Sequence, residues 1–459
     1  MRGLPLLRLL VVGLGTLVVP LDSMVNVAFP AIVGHFAIPI AGIQWVVIGY
    51  VLAQSSLLLA FGRVGDMLGY RRIFLLGSAW SGVAFALCAL APSFGWLLLA
   101  RVLQGIGAGL LLSCGPALAT QQFPEAMRAR VLGAYTMMFG LGGALGPVVA
   151  GVLVARWGWA SVYAARVPLS LLAFACAFAL PARPRRWATT TRSSGFPEPF
   201  DTRGAALLSA GIGALLLALA QLHAAMAVPV LLAGAGLACL AAYGRRRPAA
   251  APIIDPTVFR LRGFAFITLA SVGLNFAGFA VLLLVPFYLA RFAALSTPMA
   301  GLLLAVSPLG IVVGAPIAGR LAGLVPARML ALAGMAASAA GLAVLAGAGA
   351  VPALPLLAFA MLVQGVGMGV FQVAYFDVVT ATLPLAARGV AGSLGMLTRT
   401  VGLVTGASLL MLTFQGLRAA GAAGGLGAAD AFLAGFHGAL LLAAAVPAAL
   451  LVGARLLPR

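Results

Sequence analysis

The sequence predicts an all-α membrane protein with two six-helix bundles and two extra helices between them, fourteen transmembrane spans in total. Three observations lead to this fold class. Hydrophobic residues make up 63% of the 459 positions and charged residues only 8%, whereas a soluble domain carries about 25% charged residues. Apolar runs of roughly 20 residues, each long enough to cross a bilayer as a helix, recur along the whole chain. Finally, an internal repeat relates the two halves of the chain.

The repeat aligns residues 104–146 with residues 364–406 by a shift of 260 positions and without a gap. Ten of the 43 aligned positions are identical, and five of these ten are glycines. Each copy consists of an apolar segment, a short polar loop and a second apolar segment. Two copies in the same order indicate two halves related by a parallel repeat, an arrangement found in membrane transporters.

The spans follow in chain order from the apolar runs. Spans 1–6 are predicted near residues 9–33, 43–61, 73–91, 95–120, 131–155 and 160–181. Spans 7 and 8 are predicted near 204–222 and 226–243, and spans 9–14 near 264–290, 299–319, 327–348, 353–380, 389–414 and 432–454. The resulting domains are a bundle at 1–181, a linker at 182–203, the two extra spans at 204–243, a second linker at 244–263 and a bundle at 264–459. Because spans 7 and 8 fall outside the repeat, we expect them to be peripheral to the transport path.

Arginine placement predicts the orientation. All 28 basic residues are arginine; with the N-terminus inside, 22 of them lie in inner segments and three in outer loops. The positive-inside rule therefore places both termini and both linkers in the cytoplasm, and we expect the inner membrane of a bacterium. This topology explains the net charge of +20 better than nucleic-acid binding does.

The sequence predicts no cofactor, no metal site and no enzymatic activity. Its four cysteines lie in apolar segments without the spacing of metal ligands, and no nucleotide-binding loop or nucleophile triad is visible. We expect a monomer in the lipid bilayer.

Asp22 lies near the middle of span 1. An ionisable group at that depth costs about 2.5–3.5 kcal/mol on insertion scales, so it needs a partner, water or a proton. Asn26, one turn further on, is predicted to face the same way. Arg101 in the outer part of span 4 is the nearest plausible counter-charge, with Gln104 on the same face. Two interpretations are open: a protonation-linked role for Asp22, or a carboxyl that braces span 1 against a neighbouring span.

Two further motifs have a mechanical interpretation. GRVGDMLGYRR at 62–72 joins spans 2 and 3; its glycines allow a tight turn, and Asp66 can cap a helix or pair with loop arginines. The corresponding loop of the second half, at 319–328, has Gly323 in place of that carboxylate. GLGGALGPVVAG at 140–151 combines small residues with Pro147, which favours a hinge or a tight seam between helices. A generic basic loop and ordinary helix packing are the respective alternatives.

These motifs, in this order, resemble those of the major facilitator superfamily, and specifically its fourteen-spanner drug:proton antiporter branch. The segments that carry the resemblance are LDSMVNVAFP, QWVVIGYVLA at 44–53, GRVGDMLGYRR, RVLQGIGAG, GALGPVVAG and PIIDPTVFRLRGF. The resemblance implies alternating-access export of small lipophilic or amphipathic compounds, of the multidrug-efflux type, in exchange for protons. A dedicated exporter of one metabolite, lipid or natural product is the alternative within transport. A membrane sensor or scaffold without turnover is a third hypothesis.

The resemblance also implies roles for individual residues. Asp22 would be the proton-coupling carboxylate and Arg101 its relay partner. The residues expected at the substrate cavity are Asn26, Gln44, Tyr50, Gln104, Asn275, Gln364, Asp377 and Arg399. The residues expected at the gate and hinge are Gly62, Asp66, Gly69, Arg71, Arg72, Gly142, Gly146, Pro147 and Gly151.

Several positions depart from the pattern of that branch. Met67 and Tyr70 replace basic residues of the loop motif, which we expect to weaken the charge network of the inner gate. Arg166 replaces an asparagine, and would either repel cations in the cavity or extend to the outer interface. Asp377 belongs to no motif of the family; it would pair with Arg399 at similar depth or form a second proton or substrate site. These charges predict neutral or weakly acidic amphiphiles as substrates rather than dications.

Overall fold

The computed structural model describes residues 3–180, 200–222, 227–246, 252–293, 295 and 297–454, and the regular structure in these ranges is entirely helical. Most of the predicted linker 182–203, and residues 247–251 of the second linker, lie outside the described residues. Thirteen of the described helices are long and apolar enough to cross a membrane, and a shorter apolar helix covers Ser161–Ala177. The prediction of an all-helical membrane protein is confirmed, and the described helices are compatible with fourteen spans.

The spans keep their predicted order. In the first half, the helices are Gly3–Val18 and Met24–Phe36 (span 1), Gln44–Leu68 (span 2), Tyr70–Ala89 (span 3), Phe94–Thr120 (span 4), Arg128–Trp157 (span 5), and Ser161–Ala164 with Arg166–Ala177 (span 6). The extra spans are Thr202–Ala220 (span 7) and Ala227–Arg245 (span 8). In the second half, the helices are Arg262–Tyr288 (span 9), Thr297–Leu304 with Val306–Leu321 (span 10), Ala327–Ala346 (span 11), Leu354–Thr382 (span 12), Arg388–Ala423 (span 13) and Ala428–Ala454 (span 14). Short 3-10 helices cover Pro20–Ser23, Ile40–Ile43, Glu125–Met127, Pro256–Arg260 and Leu385–Ala387, and a π-helix covers Leu289–Ala293.

Span 1 is interrupted in its middle. A 3-10 turn, Pro20–Ser23, separates its two α-helices, with Pro20 in the first turn, where its missing N–H is tolerated. Asp22 lies inside this turn rather than on a continuous helix. A short 3-10 stretch within a longer helix often marks a functional hinge. The break in the helix therefore lies at the same position as the mid-span carboxyl Asp22.

The glycines shared by the two copies of the repeat make equivalent contacts in the two halves. A Cβ atom at Gly105 of span 4 would overlap the carbonyl oxygen of Tyr50 in span 2, and one at Gly365 of span 12 would overlap that of Ser307 in span 10. The remaining shared glycines approach equivalent spans: Gly107 and Gly109 approach spans 3 and 2, Gly367 and Gly369 spans 11 and 10, Gly142 and Gly146 span 1, and Gly402 and Gly406 span 9. Both halves are therefore assembled by the same close helix packing.

The two halves meet along spans 2 and 4 of the first half, which pack on span 13, and spans 10 and 12 of the second half, which pack on span 5. We call the end of the bundle with the loops at 69, 121–127, 322–326 and 383–387 the basic end, because arginines surround these loops. Gly62 in span 2 lies against Gly389 and Ser393 in span 13, and Gly133 in span 5 lies against the Ala315 carbonyl in span 10. The halves are thus in direct backbone contact near the basic end.

Span 7 packs against spans 2 and 13, and span 8 packs against span 7. In span 13, the Ser408 hydroxyl donates a hydrogen bond of 2.6 Å to the Leu219 carbonyl of span 7. Where the two extra spans approach the basic end, Arg246 donates a hydrogen bond of 2.7 Å to Asp201, which lowers the pKa of that carboxyl. Spans 7 and 8 therefore pack on the outside of the junction between the halves; that they are peripheral to transport stays a prediction.

Candidate functional site

Asp22 is the centre of a buried polar cluster that joins spans 1, 4 and 6. Arg101 binds its carboxylate with both terminal nitrogens, at 2.7 Å from Oδ1 and 2.8 Å from Oδ2. Gln104 Nε2 and Arg166 Nη1 donate to Oδ1 at 2.9 and 2.8 Å. The Asp22 side chain is 16% exposed, whereas Arg101 is fully buried. In the structure, Asp22 therefore contacts both Arg101, the expected counter-charge, and Gln104.

The surroundings hold both guanidinium groups in place. Arg101 Nε donates to the Val46 carbonyl at 2.8 Å, and its guanidinium lies 4.4 Å from the centre of the Tyr50 ring. The guanidinium of Arg166 lies 4.4 Å from the centre of the Phe85 ring. Cations gain energy on aromatic faces, more so where water is excluded. These contacts fix where the two positive charges point, so Asp22 receives preorganised donors.

The cluster has two positive charges and one negative charge. Hydrogen bonds from guanidinium groups are among the strongest in proteins, so they stabilise the ionised form of Asp22. Protonation of Asp22 would remove the only carboxylate of the cluster and leave two buried cations, which is unfavourable without a rearrangement. A proton on Asp22 is therefore linked physically to movement of Arg101 or Arg166.

Arg166 was expected either to repel cations in the cavity or to extend to the outer interface. The second alternative is wrong, because the side chain is buried and bound to Asp22. The sequence signal for this role was the replacement of a neutral asparagine by arginine in span 6. What the sequence could not show is that span 6 lies beside the turn of span 1.

Of the two alternatives for Asp377, the pairing with Arg399 is wrong. Asp377 Oδ1 accepts a hydrogen bond of 2.8 Å from Arg128 Nε at the start of span 5. The reason is depth: Asp377 lies only five residues before the end of span 12, whereas Arg399 lies eleven residues into span 13 from the same end. Asp377 is therefore part of the basic end and links the two halves there.

Asp66 makes a second link between the halves. Its Oδ1 accepts hydrogen bonds from the Gly389 amide at 2.7 Å and the Tyr70 hydroxyl at 2.6 Å, and its Oδ2 accepts one from the Val390 amide at 3.3 Å. These amides belong to the first turn of span 13, where a carboxylate compensates unpaired N–H groups and the helix dipole. Tyr70, which replaces a basic residue, thus keeps Asp66 in place by a hydrogen bond.

A third link was not foreseen. Glu125 binds both Arg128 and Arg388, which are equivalent positions of the internal repeat. The sequence signal for this link is that both copies of the repeat have arginine at this loop position. Two such arginines can bind one carboxylate. Asp66, Glu125, Asp377 and Gly62 each contact the opposite half at the basic end, and we call this set of contacts the seal.

The other predicted gate and hinge residues are not all in the seal. Gly69 has φ = 93° in the turn after span 2, a conformation that favours glycine. Arg71 donates to carbonyls at the end of span 6, and Arg72 is exposed. Gly142 and Gly146 lie against span 1, next to the turn with Asp22. Pro147 lies within the continuous helix of span 5, and Gly151 has open space around it.

The predicted cavity residues fall into separate groups. Tyr50 and Gln104 belong to the Asp22 cluster, while Asn26 and Gln44 are exposed away from the basic end. In the second half, Gln364 accepts a hydrogen bond of 2.6 Å from Ser307, and Asn275 donates one of 2.7 Å to a carbonyl of its own helix. Gln364 is therefore bonded to a neutral hydroxyl, whereas Gln104, its equivalent in the first half, is bonded to charged side chains.

Asp377→Asn is expected to weaken the closed basic end by about 1–3 kcal/mol, because Arg128 loses an ionic acceptor in a half-buried site. The measurement is a double-mutant cycle of thermal unfolding with Asp377→Asn, Arg128→Gln and the double variant, in detergent at low salt. Asp430→Asn, an exposed carboxylate at the start of span 14, is the matched control. Additive effects of the two substitutions would contradict the pairing.

Comparison with known proteins places this geometry in a family. The family model of the Major Facilitator Superfamily matches residues 12–407. The riboflavin transporter RibZ of Clostridioides difficile (strain 630) is 28% identical over 392 residues, which cover 84% of this chain and 83% of that protein. The tetracenomycin C resistance and export protein of Streptomyces glaucescens is 29% identical over 415 residues, covering 89% and 76% of the two chains. Several other bacterial relatives are drug or antibiotic resistance proteins.

The crystal structure of the human organic anion transporter MFSD10 (TETRAN) has the same fold, with a TM-score of 0.67 over 98% of this chain and 99% of that one. At 16% sequence identity, this likeness supports the fold alone. The sequence match over most of the chain and the shared two-bundle fold confirm the predicted fold class. The chain therefore belongs to the Major Facilitator Superfamily, whose members are multi-pass membrane transporters rather than enzymes.

Proposed function

We propose that the protein is a proton-coupled antiporter that exports small lipophilic or amphipathic compounds by alternating access. The observation that carries this proposal is Asp22, a carboxyl in the interrupted middle of span 1 that two guanidiniums hold. A scaffold would need no ionisable group at that depth, where it is costly. A group that is 16% exposed and bound to charged partners can instead take up a proton and transmit its effect.

The direction of transport follows from the orientation. If the basic end faces the cytoplasm, as arginine placement predicts, the sealed state is the one whose path opens to the outside. A proton from outside then neutralises Asp22, and Arg101 and Arg166 lose their shared acceptor. Location in the inner membrane of a bacterium, with both termini in the cytoplasm, is part of the same proposal; the bacterial relatives support a bacterial membrane, and the arginine placement supports the orientation.

Span 5 connects the Asp22 cluster to the seal. Gly142 and Gly146 of this span lie directly against the turn Pro20–Ser23 and its neighbours. The opposite end of the same helix carries Arg128, which binds Asp377 across the halves. A shift of the Asp22 turn can therefore move a helix that also forms the seal. In this mechanism protonation of Asp22 loosens the seal, which opens the basic end to substrate.

A dedicated exporter of one compound is the second candidate. It is favoured by the relative named as a riboflavin transporter, whereas the resistance proteins among the relatives favour a broader range. Transport of structurally unrelated compounds by the purified protein would support the drug-efflux type, and transport of a single compound would support the dedicated carrier.

The proposal is tested in proteoliposomes with the purified full chain and a pH-sensitive dye inside. Three probes share one apolar body and differ in charge: 1-pyrenebutyrate, 1-pyrenebutanol and 1-pyrenebutylammonium. A pH gradient is imposed across the membrane. We expect movement of at least one probe to be accompanied by counter-movement of protons, and both movements to fall when nigericin collapses this gradient. Probe movement that is unaffected by nigericin, or no protein-dependent movement of any probe, would refute proton-coupled export.

A further inference from the structure

Arg399 carries a positive charge in the middle of span 13. Its guanidinium carbon lies 4.1 Å from the centre of the Phe139 ring in span 5. Among the described residues no carboxylate binds it, since Asp22 is taken by the arginines of its own cluster and Asp377 by Arg128. An uncompensated cation at this depth is costly, and such residues usually mark a substrate or ion pathway.

The contact with Phe139 locates Arg399 within the molecule. Position 139 becomes position 399 under the repeat shift of 260, so the two residues are equivalent in the two halves. Equivalent residues of two halves that are related by rotation can touch only if both lie close to the rotation axis. In transporters built from repeats, substrates bind near the membrane midplane at the interface of the repeats. Arg399 lies at that interface.

Span 13 also places Arg399 next to the seal. Gly389 and Gly392 of this helix face the first half, Gly389 at Gly62 and Gly392 at Pro116. Arg399 lies seven residues after Gly392, on the same face and about 10 Å further from the basic end. Its side chain is partly exposed. Arg399 thus lies between the two halves, further from the basic end than the contacts of Gly389 and Gly392.

The charges between the two ends of the bundle favour an anion. Between the two ends of the bundle, the described spans contain three guanidiniums (Arg101, Arg166 and Arg399) and one carboxylate (Asp22), a formal excess of two positive charges. A cationic compound would find no free carboxylate there, whereas an anionic one would compensate the cost of Arg399. Aromatic rings lie beside the cation: Phe139 itself, and Tyr135 one turn earlier, which packs edge-on against Phe376 with ring centres 6.4 Å apart.

We infer that Arg399 binds the negatively charged group of the transported compound, and that the substrates are amphipathic monoanions with a planar apolar body. This inference rests on the proposed function, because it names the substrate class of the same pathway. The competing explanation is structural: the contact of Arg399 with Phe139 would only hold the two halves together. In that case its loss would affect all ligands equally, regardless of charge.

The test measures binding without a proton gradient, so that its outcome is independent of proton coupling. The full chain in lipid nanodiscs is titrated at neutral pH with the three pyrene probes, and energy transfer from tryptophan to pyrene reports binding. We expect pyrenebutyrate to bind more tightly than pyrenebutanol, and pyrenebutylammonium to bind most weakly. Arg399→Gln should weaken pyrenebutyrate binding about ten- to a hundredfold and leave pyrenebutanol unchanged.

Two variants serve as controls. Arg399→Lys keeps the charge and should keep the preference for pyrenebutyrate, even if Arg399→Gln folds poorly. Arg418→Gln removes an exposed arginine from the other end of the same helix and should change nothing. The inference is overturned if wild-type protein does not prefer pyrenebutyrate, or if Arg399→Gln weakens pyrenebutyrate and pyrenebutanol equally. If proton coupling fails but this charge preference holds, the anion site stands and only the antiport proposal falls.

Discussion

Asp22→Asn is expected to abolish proton-coupled transport while the protein still folds and inserts into the membrane. Asparagine keeps an oxygen that can accept from Arg101 and Gln104, but it cannot exchange a proton. It also mimics the protonated form of Asp22, which the transport cycle itself must visit, so the fold should tolerate it. The assay is substrate-driven proton movement in inverted membrane vesicles, normalised to the amount of inserted protein.

The control for this experiment is Asp430→Asn, which neutralises an exposed carboxylate at the end of the bundle opposite the basic end. It should leave exchange unchanged. The variant Asp22→Asn should still bind a probe, because its substrate path is intact. If vesicles with Asp22→Asn exchange protons for probe at the wild-type rate, the assignment of Asp22 as the coupling residue is wrong.

Much of the fold could be predicted from the sequence because bilayer physics leaves few choices. A run of about 20 apolar residues must be a helix, since no water is present to satisfy an open backbone. The repeat also indicates how the helices pack within each half. Glycines such as Gly105 and Gly365 recur because both halves need the same close contact between helices. These signals are local in sequence, and the structure confirms them through equivalent contacts.

The candidate site was only partly predictable. The pairing of Asp22 with Arg101 could be anticipated, because a mid-span carboxyl needs a cation and few were available. Arg166 as a second partner could not be anticipated, since nothing in the periodicity of span 6 shows that it lies beside span 1. The pairing of Asp377 with Arg399 fails for a related reason: the apolar run does not show where span 12 ends, and that end lies only five residues after Asp377.

The departures at Met67 and Tyr70 show another limit of sequence reasoning. The family pattern predicts that they weaken the charge network of the inner gate, and this stays a prediction. Tyr70 nevertheless donates a 2.6 Å hydrogen bond to Asp66, the carboxylate that caps span 13. A neutral hydroxyl can therefore position this carboxylate where the family pattern has a charged residue.

Gly62→Ala is expected to prevent full closure of the basic end and to reduce transport strongly. A Cβ atom at this position would lie 2.7 Å from the Gly389 carbonyl oxygen and would overlap the Ser393 hydroxyl. The carbonyl belongs to the first turn of span 13, which Asp66 caps, so it cannot move without losing that cap. Overpacking of this kind costs about 1–3 kcal/mol, or about a five- to 150-fold shift away from the sealed state.

The measurement is the distance between spin labels at Arg72→Cys and Leu385→Cys, two exposed positions on opposite halves of the basic end. In the Gly62→Ala background the label distance should increase and its distribution should broaden. Gly151→Ala is the matched control, because its Cβ atom would meet nothing within 4 Å. Alanine has a higher helix propensity than glycine at both positions, so a loss of helix propensity cannot explain a difference between the two variants. An unchanged distance and full transport in Gly62→Ala would show that the close contact of spans 2 and 13 does not limit closure.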